Sequence, residues 1–206
     1  MLPADFKLRT DFPKGEQARV TQNILEVCQQ FRGLDYPDGF SNIHDYLFKK
    51  LTIVAYTDEV KEIERTRRWK LTADELLKVG TIVDTKYCND VVNLFLSITK
   101  GLGFDAKLAK VFSKDNEGGS IKVHSLAIVE SPDLNDRYLI NIGSKDKYWI
   151  KALPKDQELS FGAELPDNWF VWKVDLDQWS MGLNDSSQEH STIVADAKRF
   201  FKEFSK

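Results

Sequence analysis

The sequence predicts an α+β fold in which helices come first and strands follow. Up to about residue 104, apolar residues recur at spacings of three and four, the period of helices with one buried face. Beyond it, short apolar or alternating runs are separated by turn-forming segments, the pattern of an antiparallel strand set. A length of 206 residues, 42% hydrophobic and 30% charged, suits one domain able to bury a core.

The elements follow in order. Residues 1–14, with Pro3 and Pro13, read as irregular. Gly15 to Gly33 reads as an amphipathic helix, with Val20, Ile24, Val27 and Phe31 on its apolar face and Cys28 packed beside them. After the turn-rich "LDYPDGFS", residues 41–59 read as a second helix, capped by Ser41 and apolar along Ile43, Leu47, Leu51 and Val54. "DEVKEIERTRRWK" alternates acids and bases, as a solvated surface segment does. "LTADELLKVGT" carries a short helix with Thr72 as N-cap, Glu75 completing a capping box and Gly80 closing it. The next helix begins near Cys88, after a cap at Asp84 or Thr85. It runs through Val91 or Val92, Phe95, Ile98 and Leu102, and Gly101 and Gly103 end it. Strands are expected in "AKLAKVFSK", "IKVHSLAIVES", "DRYLINIGS", "YWIKAL" and "NWFVWKVDL", with turns at "DNEGG" and "PDLND". A terminal helix follows, with Ile193, Ala197 and Phe200 or Phe201 on one face.

Composition narrows the functional classes. A net charge of -3 gives no reason to expect nucleic acid or an anionic membrane as partner. The start lacks the pattern of a signal peptide, and no run approaches the roughly 18 apolar residues of a membrane span, so a cytoplasmic protein is expected. Three scattered histidines and two separated cysteines have no zinc-ligand spacing, so no metal is expected. Gly-rich phosphate loops are missing, so no nucleotide and no other cofactor is expected either. His44 and His190 lie in polar helical surroundings and read as surface residues. Trp149, Trp169, Trp172 and Trp179 read as sheet packing, with an acceptor groove beside Cys88 as the sharper alternative. Nothing in the sequence indicates an oligomeric state.

Cys88 admits two readings, a small packed residue or a nucleophile. Thiol acyl transfer needs a thiolate, a histidine that holds and delivers the proton, and a polar group that fixes the imidazole. The first turn of a helix favours the thiolate, and its N–H groups can hold an oxyanion. His124 lies in the strand "VHSLAIVE" and Asn141 in the next strand, "YLINIG". A hairpin through residues 131–136 makes His124 and Asn141 cross-strand neighbours on one face.

"LTADELLKVGTIVDTKYCNDVVNLFLSITKGLGFDAKLAKVF" resembles the core of the transglutaminase-like superfamily, which has a papain-related Cys-His-Asp fold. The matching features are the short helix Thr72–Gly80, the Cys88 helix, its closure at Leu102-Gly103, and the strand Ala106–Val111. His124 opens its strand as the family histidine does, and Asn141 stands where the family has aspartate. The resemblance covers roughly residues 41–150 of a single domain, 1–206. It leaves 1–40 as an N-terminal helical extension and 151–206 as extra strands and a C-terminal helix. It implies catalytic roles for Cys88, His124 and Asn141, a protein or peptide substrate, and a cysteine peptidase or amidase. Cross-linking to an amine is an alternative, and acetyl transfer ranks last because the cysteine motif of arylamine acetyltransferases is not seen. Lys86-Tyr87 precedes the cysteine where the family has Gly-Asp or Gly-x, Leu126 stands where an aromatic residue is usual, and Asn141 replaces the acid. These departures define the other alternative, an inactive peptide-binding or scaffold domain. Papain-type enzymes use asparagine in this place.

Overall fold

A computed structural model describes residues 10–60, 69–84, 87–115, 119–143, 145–184 and 186–204. The order is helical first and sheet-forming later, as α+β requires.

Helix α1 (Gln22–Cys28) is shorter than its apolar period suggests and passes into a 3-10 turn at Gln29–Phe31. The Thr21 hydroxyl accepts from the Ile24 N–H and starts the helix there. Upstream, the Asp177 carboxylate takes the Gln17 N–H at 2.9 Å, so Gly15–Val20 is not helical and Val20 is left exposed.

Helix α2 (Phe40–Lys50) is capped by Gly39, not Ser41, whose hydroxyl donates to the Asp38 carbonyl. It also stops well short of residue 59. The β-branched run Thr52–Val54 forms strand β1, which pairs in parallel with β2 (Thr81–Val83). His44 is buried rather than superficial. Phe40, Ile43, His44 and Leu47 fall on one helical stripe, and the His44 ring packs on Phe48 and Tyr148.

Most of the charged stretch, 61–68, lies outside the described residues. Its end does not follow the surface reading, since Trp69 is 2% exposed. Helix α3 (Ala73–Val79) has the expected capping box and closes at Gly80, whose φ of 65° is left-handed. Helix α4 (Cys88–Gly101) starts at Cys88 itself. Its N-cap is Tyr87, which makes no side-chain cap bond. Asp84 is not the cap, and Thr85 lies outside the described residues.

Six antiparallel strands follow: β3 (Asp105–Lys114), β4 (Ile121–Glu130), β5 (Arg137–Asn141), β6 (Trp149–Leu153), the unforeseen two-residue β7 (Glu164–Leu165) and β8 (Trp169–Asp175). Their spatial order is β6-β5-β4-β3-β8-β7. Helix α5 (Ser186–Phe204) follows and buries Ile193 and Ala197 as expected; of the two phenylalanines its period allows on that face, Phe200 is buried and Phe201 partly buried.

Strand alternation splits the core in two. Leu108, Phe112, Ala127 and Val129 face the helices and join a cluster that runs from Ala18 to Phe200. Ala109, Val111, Leu126, Ile128 and Leu139 face the other way, where the sheet curls so that Leu153 and Leu165 from its two edges join the same small cluster. Among the described residues, no helix is long and apolar enough to cross a membrane.

Candidate active site

Cys88 stands at the tip of α4, a helix buried along nearly its whole length between the other helices and the sheet. Its side chain keeps partial exposure. The first-turn N–H groups and the helix dipole favour an anion at this place.

His124 lies on β4, on the same face as Leu126 and Ile128 and therefore on the side of the sheet away from the helices. A hydrogen bond nevertheless joins it to Cys88. The sheet is open at this point. The β4–β5 pairing runs only as far as Ala127 opposite Ile140, and the chain leaves the sheet after Asn141. Through that gap the tip of α4 meets the histidine. Gly143 forms the rim. A Cβ there would sit 2.8 Å from the Cys88 Cβ, 3.0 Å from its Cα and 3.3 Å from the His124 Cε1, so only glycine lets the chain pass this close.

Asn141 Oδ1 lies 2.9 Å from His124 Nε2. The two residues are diagonal cross-strand neighbours on one face, His124 lying two residues along β4 from the position opposite Asn141. With Nε2 donating to the amide oxygen, Nδ1 is the ring nitrogen left for the thiol. Three elements thus bring Cys88, His124 and Asn141 into one hydrogen-bonded line.

Burial acts to lower the His124 pKa. The hydrogen bond and charge of Cys88, with the bond to Asn141, outweigh it, and the net shift is upward from 6.5; the Lys110 charge works against them. The imidazole is therefore held toward its protonated form beside the sulfur.

The surroundings are aromatic. The Trp169 ring lies 5.5 Å from the His124 ring between centroids, and Asp167 and Asn168, both with positive φ, form the tight turn that delivers it. Trp149 pairs directly with Asn141 across β5 and β6. Trp179, by contrast, is core and donates to the Trp69 carbonyl, and Trp172 donates to Asp196 on α5. On the far side, Tyr87 packs on Phe48, and Tyr148 packs on His44. The Tyr148 hydroxyl is pushed up to about 12 by burial and by Asp38 and Asp45.

Gly143, Trp69 and Lys110 escape the sequence reading. Gly143 carries no local signal, because its constraint is a through-space approach. Lys110 does carry one: two residues from both Leu108 and Phe112, it shares their face, so strand geometry aims a charge at the helices. Along α4, Asn89, Asn93 and Ser97 repeat every fourth residue and are all buried, a polar stripe visible in the sequence. Among the described residues, no group of three or more His, Cys, Asp or Glu side chains is placed to hold a metal ion.

No protein-family profile matches the chain, and no curated protein does. Among solved structures, one named "Putative Cysteine Protease", from Cytophaga hutchinsonii, aligns with a TM-score of 0.49 and 8% identity over 82% of this chain. The chain spans 46% of that protein's length. The α+β class stands on the elements themselves.

Proposed function

We propose that this chain is a thiol-dependent acyl-transfer enzyme of transglutaminase-like fold, a cysteine peptidase or amidase acting on a protein or peptide amide. The supporting observation is the hydrogen-bonded line from Cys88 through His124 to Asn141, with the histidine pKa raised beside the sulfur.

The steps follow from the roles. His124 takes the Cys88 thiol proton, and the thiolate attacks the amide carbonyl carbon, forming a C–S bond. Backbone N–H groups at the tip of α4, that of Cys88 among them, receive the oxyanion. The imidazolium gives its proton to the leaving nitrogen as the C–N bond breaks, leaving a thioester. His124 then takes a proton from water, the hydroxide attacks the thioester, and a carboxylic acid leaves as the thiol re-forms. Asn141 holds the ring through both halves without adding charge. An amine in place of water gives cross-linking by the same route.

The test is the rate of iodoacetamide labelling from pH 4 to 9 in a Cys28→Ser background, with and without His124→Ala, alongside hydrolysis of fluorogenic peptide amides. An activated pair labels on a plateau that persists below pH 7 and disappears with His124. Labelling that rises only near the ordinary thiol pKa of about 8.5, whatever residue 124 is, favours the inactive binding-domain reading instead.

A further inference from the structure

A charged cluster that takes no part in the steps above lies behind Cys88, between the sheet and the helices. Lys110 on β3 is 1% exposed. Its ammonium has three N–H bonds to give, and three oxygens receive them: Asn89 Oδ1, Ser125 Oγ at 2.8 Å, and Glu189 Oε1. The Trp69 ring covers it at 4.5 Å from the centroid. Ser125 in turn donates to the same Asn89 oxygen, and all three oxygen-bearing residues are buried.

The positions of these partners give the cluster its meaning. Asn89 follows Cys88, and Ser125 follows His124. One ammonium therefore fastens the first turn of the nucleophile's helix to the strand of the histidine, at the residue adjacent to each. A buried ammonium tolerates little displacement of its acceptors, because an unpaired charge in the interior is costly. The remaining partner, Glu189, comes from α5, the terminal helix that the sequence resemblance leaves unexplained.

We propose that Lys110 is a positioning residue for the Cys88–His124 pair, and that Glu189 neutralises it, so that docking of the C-terminal helix sets both the geometry and the protonation of that pair. The inference rests on the thiol–imidazole reading above. The groups that touch His124 are Cys88 from α4 and the neutral Asn141 and Trp169 from β5 and β8; Lys110, on the opposite face of the sheet on β3, reaches it only through its charge. Asp90 lies in the first turn of α4, and His190, beside Glu189, is exposed. Lys110 opposes the charge on His124, and the Glu189 carboxylate offsets Lys110. Without that carboxylate the imidazolium loses support, so His124 must release its proton at lower pH.

The experiment uses the full chain with Cys28→Ser. The His124 ring is titrated by NMR, and iodoacetamide labelling is followed against pH, in the parent, Glu189→Gln and Glu189→Asp. The expected result is a His124 titration about half a pH unit or more lower in Glu189→Gln, with most of the shift recovered in Glu189→Asp, where the charge returns. A Gln variant that titrates like the parent, or an Asp variant shifted as far as the Gln variant, overturns the proposal. Should Glu189→Gln fail to fold, Ser125→Ala provides the decision, since it removes only the hydroxyl link between the histidine strand and the ammonium. Labelling at pH 6 must then slow by roughly threefold or more while the melting temperature stays within a few degrees; unchanged labelling overturns the proposal. A parent that never labels below pH 7 defeats the ion-pair reading itself. A parent with the low-pH plateau and indifferent variants defeats the positioning role alone.

Discussion

Gly143 shows how closely the chain confines the thiol. An added methyl would meet the Cα and Cβ of Cys88, and backbone cannot yield as a flexible side chain does. Gly143→Ala is expected to cost about 1–3 kcal/mol, the usual range for overpacking, and to slow labelling of Cys88 as the helix tip is pushed away. A denaturation midpoint read together with the labelling rate checks both effects. Asn141→Ala leaves the imidazole unheld at Nε2, and a loss on the order of 10²-fold in amide hydrolysis is expected. His124 also ties stability to pH. Its folded pKa lies above 6.5, so the stability from its protonation is complete below the unfolded pKa and is lost as pH rises through the folded one. Denaturant midpoints from pH 5 to 9 should therefore fall more steeply in the parent than in His124→Ala.

At the scale of elements, capping and β-branching decide where helices stop and start. Helix α3 keeps its predicted bounds because both halves of its capping box form: Thr72 accepts from the Glu75 N–H at 3.3 Å, and Glu75 accepts from the Thr72 N–H at 2.8 Å. Thr72→Ala is expected to lower stability by about 0.5–2 kcal/mol, measurable by urea denaturation. Helix α2 ends early because Thr52, Ile53 and Val54 find a partner strand 29 residues away, at Thr81 to Val83. The helical period there continues past Lys50, but the β-branched residues favour the pleat once another strand is beside them. In α4 the apolar period is correct, and Asn89 and Ser97 of the polar stripe are buried all the same, because Lys110 and the Arg19 carbonyl supply partners from other parts of the chain; the Asn93 amide oxygen between them is buried without a hydrogen-bond partner.

At the scale of the whole molecule, segments before α1 and after β8 brace the interior around α4. Asp177 is fully buried, and its carboxylate receives the N–H groups of Gln17 and Ser180 and the Ser180 hydroxyl. It fixes the segment leading into α1 to the loop after β8. Asp177→Ala strips several buried donors of their acceptor at once and is expected to cost about 1–3 kcal/mol for each one left unsatisfied, to be measured by chemical denaturation. Glu189 performs a similar service at the other end of the same interior, closing the Lys110 cluster from α5.

The sequence by itself determined the class, α+β with helices before strands, because hydrophobic period and turn chemistry are local properties. It also named Cys88, His124 and Asn141 as candidates from their types and order around a hairpin, three residues that the fold brings together, and it placed the capping box of α3 to the residue. Only the tertiary structure decided the rest. Strand alternation puts His124 on the side of the sheet opposite α4, so its meeting with Cys88 depends on where β5 ends. Gly143 matters only because a remote helix tip occupies the space beside it. His44 and Trp69 sit among polar or charged neighbours in sequence and are buried by contacts with distant aromatic rings and with Lys110. These are through-space facts, and a one-dimensional pattern reports only which face a residue takes, not what stands opposite that face.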